Sequence, residues 1–180
     1  FSQSKLIKSP DSNLVVEVKI DRGKAIYSVH YKDKELLEDS PLGFVADIGD
    51  FSQNLDYLDY KESRKADSYQ LKQAKKSTIN IDANIATIKL ANKEKKEFAI
   101  VFYVSNNDIA FRYEIPQYGE TACCVIKKEA TGFNFPQNTT TFITPQSDPM
   151  IGWKRTKPSY EEVYTNDEPI GTRSQYGQGY

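Results

Sequence analysis

Hydrophobic and polar residues alternate along most of this chain. In LVVEVKI, residues 14–20, every second residue is apolar, and AIYSVHY, residues 25–31, repeats that pattern. A period of two is typical of a strand that buries one face. The intervening DRG supplies a turn, because Gly23 tolerates a positive φ. The two segments therefore predict a β-hairpin.

Further strand patterns follow at short intervals. KSTINI and IATIKLA both alternate, and the second places Ala86, Ile88 and Leu90 on an inward face. FAIVFYVS, residues 98–105, is apolar on both faces, which predicts a central strand. IAFRYEIP, residues 109–116, alternates strictly. No segment keeps a helical period, so the sequence predicts an all-β antiparallel sandwich with few or no helices.

Two regions depart from this alternation. Residues 50–67 are polar and irregular, and we expect them to form a loop. After about residue 145, prolines, glycines and tyrosines crowd together and the alternation fades. We therefore expect a single domain, 1–180, in which a sandwich over about 1–150 precedes an irregular segment, about 151–180, laid over a surface. A length of 180 residues is usual for one domain.

Charge and hydropathy exclude two classes of partner. Lysine and arginine total 24 and aspartate and glutamate total 25, which gives a formal net charge of -1. No field of a single sign is available to attract nucleic acid or an anionic membrane surface. No apolar run approaches the ~20 residues that a membrane span needs. We expect neither nucleic acid nor membrane as a partner.

Residues for nucleophilic chemistry are scarce. The only histidine, His30, lies on the strand face that carries Ser28, opposite the aromatic face, and we interpret it as a surface residue. The two cysteines, Cys123 and Cys124, are adjacent and lack the further ligands of a zinc site. The sequence therefore gives little basis for Ser–His or Cys–His catalysis.

Several phrases occur in an informative order. They are SPDSNLVVEVKIDRGKAIYSVHYKDKELLEDSPLGF, NNDIAFRYEIP, EATGFNFP, YEEVYT and PIGTRSQYGQGY. Each phrase alone is a modest signal, but their collinear succession is specific. They are spread along essentially the whole chain, from residue 9 to residue 180. The sequence resembles the N-terminal domain of glycoside hydrolase family 97.

This resemblance implies a fold, a setting and an activity. Enzymes of that family combine an N-terminal β-supersandwich of the galactose mutarotase type, a central (β/α)8 barrel and a small C-terminal β-domain. Gram-negative bacteria export them, so we expect a periplasmic location, and an opening at Phe1 suits a chain trimmed after a removed signal. The intact enzymes hydrolyse α-glucosides or α-galactosides with carboxylates of the barrel. This chain is then a non-catalytic accessory domain that packs on the barrel and is inactive alone.

The resemblance also implies one metal ligand. In the family, glutamates of the barrel hold a calcium ion together with one glutamate from the N-terminal domain, which we place at Glu161, directly after Tyr160. Glu162 is the alternative if the register differs by one residue. Because calcium takes 6–8 oxygen ligands, we expect it only with barrel ligands and not in the isolated domain. There, an exposed acidic loop is the alternative interpretation.

The same acidic pair is a poor catalytic pair. Glycosidic cleavage uses two carboxyl groups roughly 5 to 9.5 Å apart, on opposite sides of one bond. Glu161 and Glu162 are neighbours, and in an extended chain neighbouring side chains point to opposite faces. We therefore expect no catalytic residue in this chain.

Three aromatic residues are candidates for the rim of the substrate pocket or for barrel contact: Trp153, Tyr160 and Tyr164. If Trp153 instead stacks on a sugar, the chain is an autonomous carbohydrate-binding module. A mutarotase-like enzyme is a third hypothesis, because the supersandwich is shared with aldose epimerases. It would need a placed acid and base, and the single histidine weakens it.

Overall fold

The computed structural model describes residues 3–73, 75, 77–120, 122–143 and 165–173. Its contacts divide the chain into two compact units, Phe1–Asn134 and Phe135–Tyr180. The first unit therefore ends before the boundary near residue 150 that the sequence suggested.

In the described residues the chain forms β-strands and no helix, and the expected all-β antiparallel class is confirmed. The strands are β1 Gln3–Lys8, β2 Leu14–Asp21, β3 Lys24–Tyr31, β4 Lys34–Pro41, β5 Phe44–Ala46, β6 Gly49–Asp50, β7 Asp56–Gln70, β8 Thr78–Ala91, β9 Glu97–Ser105, β10 Ile109–Glu114, β11 Ile126–Glu129, β12 Thr140–Ile143 and β13 Thr165–Pro169. Within the same residues there is no helix of the length and apolarity that a membrane crossing requires.

Two four-stranded sheets form the body of the first unit. Sheet 1 has the order β1-β2-β3-β4, and sheet 2 has the order β10-β9-β8-β7. β1 lies against β8 and β2 against β9, so the two sheets pack face to face. A smaller sheet has the order β11-β5-β6.

The alternation in the sequence explains the core between these sheets. Val16 of β2 and Tyr27 of β3 point into it from sheet 1, and Ile88 of β8 and Phe102 of β9 meet them from sheet 2. The Tyr27 and Phe102 ring centroids are 6.0 Å apart. The predicted hairpin is β2–β3, and β9 lies between β8 and β10 as its two apolar faces predicted.

The expected loop over residues 50–67 is wrong. Most of that segment belongs to β7, which pairs with β8 from Asp56 opposite Ala91 to Gln70 opposite Thr78. The reason is that β7 is an edge strand whose side chains are mostly exposed, so burial imposes no apolar alternation on it. Backbone hydrogen bonds to β8 hold this strand in place, and such bonds require no particular pattern of side chains.

The second unit contains a two-stranded sheet. β12 and β13 pair antiparallel, with Thr140 opposite Pro169. The segment that the sequence indicated to be irregular thus contributes one short polar strand, Thr165–Pro169, to a sheet.

Candidate functional site

The residues singled out by resemblance lie outside the described residues. They are Trp153, Tyr160, Glu161, Glu162 and Tyr164. Their roles as metal ligand, pocket rim or barrel contact therefore stay predictions.

The largest convergence of acidic side chains recorded in the described ranges is a pair, Glu17 and Asp39, which share the ammonium group of Lys19 at 3.4 and 3.5 Å. Among those ranges, no group of three or more His, Cys, Asp or Glu side chains is placed to hold a metal ion. Asp50 accepts hydrogen bonds from Ser52 and Gln53 within its own turn, and Asp82 pairs with Arg64. These carboxylates serve local structure. His30 is half-buried in β3, opposite Glu35 of β4.

A short extended segment, residues 130–134 with the sequence ATGFN, runs beside the edge of sheet 1; we call it the strap. The amide of Ala130 donates to the carbonyl of Gly43 at 3.0 Å, and the amide of Gly132 donates to the carbonyl of Pro41 at 2.9 Å. The spacing of two residues is that of an antiparallel ladder. A Cβ at Gly132 would lie 2.9 Å from the Pro41 ring, so this close approach requires glycine.

Side chains from distant parts of the chain anchor the strap. The Tyr27 hydroxyl donates to the carbonyl of Gly132 at 3.2 Å, and the Tyr113 hydroxyl lies 2.6 Å from Oγ1 of Thr131. The Tyr113 hydroxyl also accepts from the amide of Gly43 at 2.7 Å. Tyr27 belongs to sheet 1 and Tyr113 to sheet 2, so the strap closes the sandwich along its β4/β10 side.

These two phenols stay protonated at neutral pH. Burial raises the pKa of Tyr27 to about 12, and the neighbouring Tyr113 contributes to that shift. Burial likewise raises the pKa of Tyr113. Both groups therefore act as neutral hydrogen-bonding anchors. A general acid or base needs a pKa near the operating pH, which neither hydroxyl has.

The opposite, β1/β7 side of the sandwich carries an open groove of about 340 Å³. Its lining residues are Leu6, Ile7, Lys8, Glu62, Ser63, Arg64 and Asn84. Glu62 is the one carboxylate among them, and it is engaged with the hydroxyl of Tyr60. A glycosidase site needs two carboxyl groups facing one bond, so this groove lacks the residues for hydrolysis.

Comparison with models of known protein families identifies the family of this chain. A family model described as glycosyl-hydrolase 97 N-terminal matches residues 7–179. The chain belongs to this family. The resemblance found in the sequence is thereby confirmed: this is an N-terminal domain of the glycoside hydrolase family 97 type.

Solved structures of family 97 enzymes and a related enzyme contain this fold. A crystal structure of a beta-arabinopyranosidase shares 46% identity, with a TM-score of 0.85, over 99% of this chain and 28% of its own. A family 97 enzyme from Pseudoalteromonas sp. strain K8, in complex with panose, shares 22% identity with a TM-score of 0.71, over 78% of this chain and 22% of its own. The second likeness shows the fold alone. This chain thus spans about a quarter of the length of either.

The family phrases now have structural positions. NNDIAFRYEIP contains β10, and EATGFNFP contains the strap. Sequence reasoning missed the strap and its anchors Tyr27 and Tyr113. The available signals were weak: Tyr27 and Tyr113 read as ordinary inward strand residues, and a hydroxyl that bonds a segment about a hundred residues away leaves no local pattern.

Proposed function

We propose that this chain is the non-catalytic N-terminal part of a longer α-glycosidase and that it packs on a catalytic (β/α)8 barrel of the same polypeptide. One observation carries the proposal. The family match spans residues 7–179, while the same chain covers only 28% of a relative with 46% identity. A chain that is a complete match to one part of a longer enzyme is expected to serve that enzyme.

The distribution of carboxylates supports this division of labour. Asp50 is engaged within its own turn, Asp82 is paired with Arg64, and the β1/β7 groove offers Glu62 as its one carboxylate. Hydrolysis of a glycosidic bond needs an acid and a second carboxylate held across that bond. We therefore assign both to the proposed barrel.

Calcium is the expected ion of the intact enzyme. Since the described residues hold no cluster of ligands, this chain would add a single carboxylate, Glu161 or Glu162, to a shell of 6–8 oxygens completed by the barrel. Calcium would supply fixed positive charge near the site. The isolated chain is expected to bind none.

A calcium titration of the intact polypeptide tests the ligand assignment. Glu161→Gln should weaken calcium binding by roughly 10- to 100-fold, the usual cost of disturbing a metal shell. Glu162→Gln and Glu168→Gln are the matched controls, since Glu168 lies on β13 and is assigned no ligand role. A loss confined to Glu162→Gln would move the ligand by one residue. Unchanged affinity in all three variants would remove calcium ligation from this chain.

Substrate class is open to direct assay. The resemblance favours α-glucosides or α-galactosides, and the names of the relatives add β-arabinopyranosides and panose to the compounds worth testing. We expect the intact polypeptide to hydrolyse one of the nitrophenyl α-glucoside, α-galactoside and β-arabinopyranoside substrates, and the 180-residue chain to hydrolyse none. Turnover by the 180-residue chain would contradict the proposal.

Sugar binding separates the accessory role from an autonomous module. The 180-residue chain would be titrated with maltose and galactose oligomers while the fluorescence of Trp153, its only tryptophan, is followed. We expect no saturable change. Saturable binding at sub-millimolar sugar would replace the accessory role by that of a binding module. Fractionation of the source cells would test the expected periplasmic location.

A further inference from the structure

β8 changes the face on which it is apolar. From Ala86 onward its apolar residues are Ala86, Ile88 and Leu90, which are fully buried against sheet 1. Before that point the apolar residues are the odd-numbered ones, and the even-numbered positions carry Asn80 and Asp82. The apolar face therefore switches sides between residues 85 and 86.

The switch is real because the strand is regular there. β7 and β8 pair without a bulge from Asp59 to Gln70, and the only register shift lies between Tyr57 and Asp59. Successive side chains of a regular strand point to opposite faces. Since Ile88 points toward sheet 1, Ile81 points away from it.

β7 adds Tyr69 to the same face as the odd-numbered residues of β8, together with Lys65 and Asp67, which lie opposite Ala83 and Ile81. In the half near the core, Tyr60 lies opposite Ile88; in the far half, Tyr69 lies opposite Ile79, and the amide of Leu71 donates to the carbonyl of Ser77 at 2.7 Å. The result is a row of apolar side chains, beside the Lys65–Asp67 ion pair, on the side of sheet 2 that faces away from sheet 1. We call it the outer stripe, and its members are Tyr69, Leu71, Ile79, Ile81, Ala83 and Ile85.

The opposite face of the same ribbon is already satisfied. Nε and Nη2 of Arg64 donate to the Asp82 carboxylate at 2.8 and 2.7 Å, and the Ser68 hydroxyl donates to Asn80 at 2.9 Å. Nδ2 of Asn84 donates to the carbonyl of Lys8, the last residue of β1, at 2.7 Å. The cover that sheet 1 gives to β8 thus ends where the apolar residues change sides.

Within the described residues the outer stripe is only partly covered: Ala83 is buried, and Ile79, Ile81 and Ile85 are half-buried. Tyr69 and Leu71 are 46% and 43% exposed. β9 pairs with β8 only as far as Ala83, so the tip of the hairpin is a ribbon of two strands. A two-stranded ribbon is marginally stable in water, and an apolar face on it favours packing against another body.

We propose that the outer stripe is the surface on which the remainder of the same polypeptide packs. This inference rests on the proposed function. The occupant follows from length: this chain covers 28% of a relative to which it is 46% identical, so most of that relative's chain lies beyond the matched part. A tethered partner also has a high effective concentration. The stripe calls for an apolar partner surface that also carries polar groups for Lys65 and Asp67, which lie on the same face opposite Ala83 and Ile81.

Cysteine labelling of the intact polypeptide tests the proposal. In a background of Cys123→Ser and Cys124→Ser, single cysteines replace Tyr69 or Leu71 on the stripe. The matched controls are Ser68→Cys and Gln70→Cys, their neighbours on the other face. All four positions are exposed in this chain. We expect a maleimide to react at least about tenfold more slowly at the two stripe positions, a ratio that corresponds to about 1.4 kcal/mol of protection.

The outcomes are distinct. Equal rates at the four positions, each divided by its rate in denaturant, would overturn the proposal. Protection that is lost on dilution would also overturn it, because a second copy would then be the occupant. Hydrogen exchange of β8 in the unsubstituted polypeptide checks that no substitution created the effect.

Labelling needs no turnover, so it separates this inference from the proposed function. A covered stripe in an enzyme that is inactive on all glycosides would refute the proposed function alone. A freely labelled stripe in an active glycosidase would refute this inference alone.

Discussion

The two halves of the β7–β8 hairpin share one backbone ladder, but they differ in their neighbouring strands and in the face that carries apolar side chains. Near the core, β8 has a neighbour on each side and sheet 1 above it, and Ile88 is fully buried. At the tip, β8 pairs with β7 alone, and its apolar residues face the other way. Backbone pairing between β7 and β8 therefore extends beyond the part of β8 that is buried against sheet 1. The difference teaches that backbone hydrogen bonds set the path of these strands, whereas side chains decide which face is covered.

The largest expected effect comes from replacing one isoleucine by alanine on each face of β8. In the 180-residue chain, Ile88→Ala should lower the free energy of unfolding by about 2–5 kcal/mol, because it opens a cavity in a closed core. Ile81→Ala should cost less than about 1 kcal/mol, because Ile81 is half-exposed and water fills the space it leaves. Urea unfolding of both variants provides the measurement. Equal losses would mean that the stripe is as well packed as the core.

The core that covers the near half of the hairpin, to which Tyr27 of β3 belongs, should also lose stability at alkaline pH. The pKa of Tyr27 is raised from 10.0 to about 12, chiefly by burial. A raised folded-state pKa stabilises the fold fully below pH 10, and this contribution is lost as pH rises toward about 12. The loss is at most about 3 kcal/mol, at about 1.36 kcal/mol per pKa unit. Urea midpoints followed across this range should fall less in Tyr27→Phe; an identical fall in both proteins would exclude Tyr27 as the cause.

Hydrogen exchange should divide the hairpin at the same point. Amides of residues 86–90 are expected to exchange only through global unfolding, since strands flank them on both sides. Amides of residues 79–82 should exchange at least about tenfold faster in the 180-residue chain, through local opening of the ribbon. A sharper result would come from the intact polypeptide, in which cover over the outer stripe should slow the exchange of amides 79–82 and leave amides 86–90 unchanged. Uniform protection in the short chain would contradict the division.

The sequence predicted the regions in which burial on one side imposes a period of two. The β2–β3 hairpin, β9 and β10 were all indicated in this way, and the structure confirms them. β7 was missed because an exposed edge strand has no such period. KSTINI and IATIKLA looked like two segments because their apolar positions are out of phase, although both belong to the single strand β8.

The candidate site was less accessible to the sequence for a related reason. The strap depends on hydrogen bonds between Tyr27 and Gly132 and between Tyr113 and Thr131, and each bond joins the strap to a different strand. Local patterns carry no information about such partners. Resemblance supplied Glu161, Glu162 and Trp153, and these stay predictions because they lie outside the described residues.

The smallest expected effect concerns the ion pair on the polar face of the ribbon. The hydrogen bonds from Arg64 hold the pKa of Asp82 below its usual 3.8, against a smaller opposing effect of desolvation. A lowered folded-state pKa stabilises the ribbon above pH 3.8, and this contribution is lost as pH falls through the folded-state value. Both side chains are about half exposed, so solvent weakens the pair.

Protection factors of residues 79–82 should therefore decline on acidification below pH 3.8, while those of residues 86–90 hold. Asp82→Asn should remove this dependence and Asp67→Asn, on the opposite face, should keep it. If Asp82→Asn leaves the acid response unchanged, the ion pair does not stabilise the ribbon, and the backbone ladder with the remaining side-chain contacts holds its two strands together.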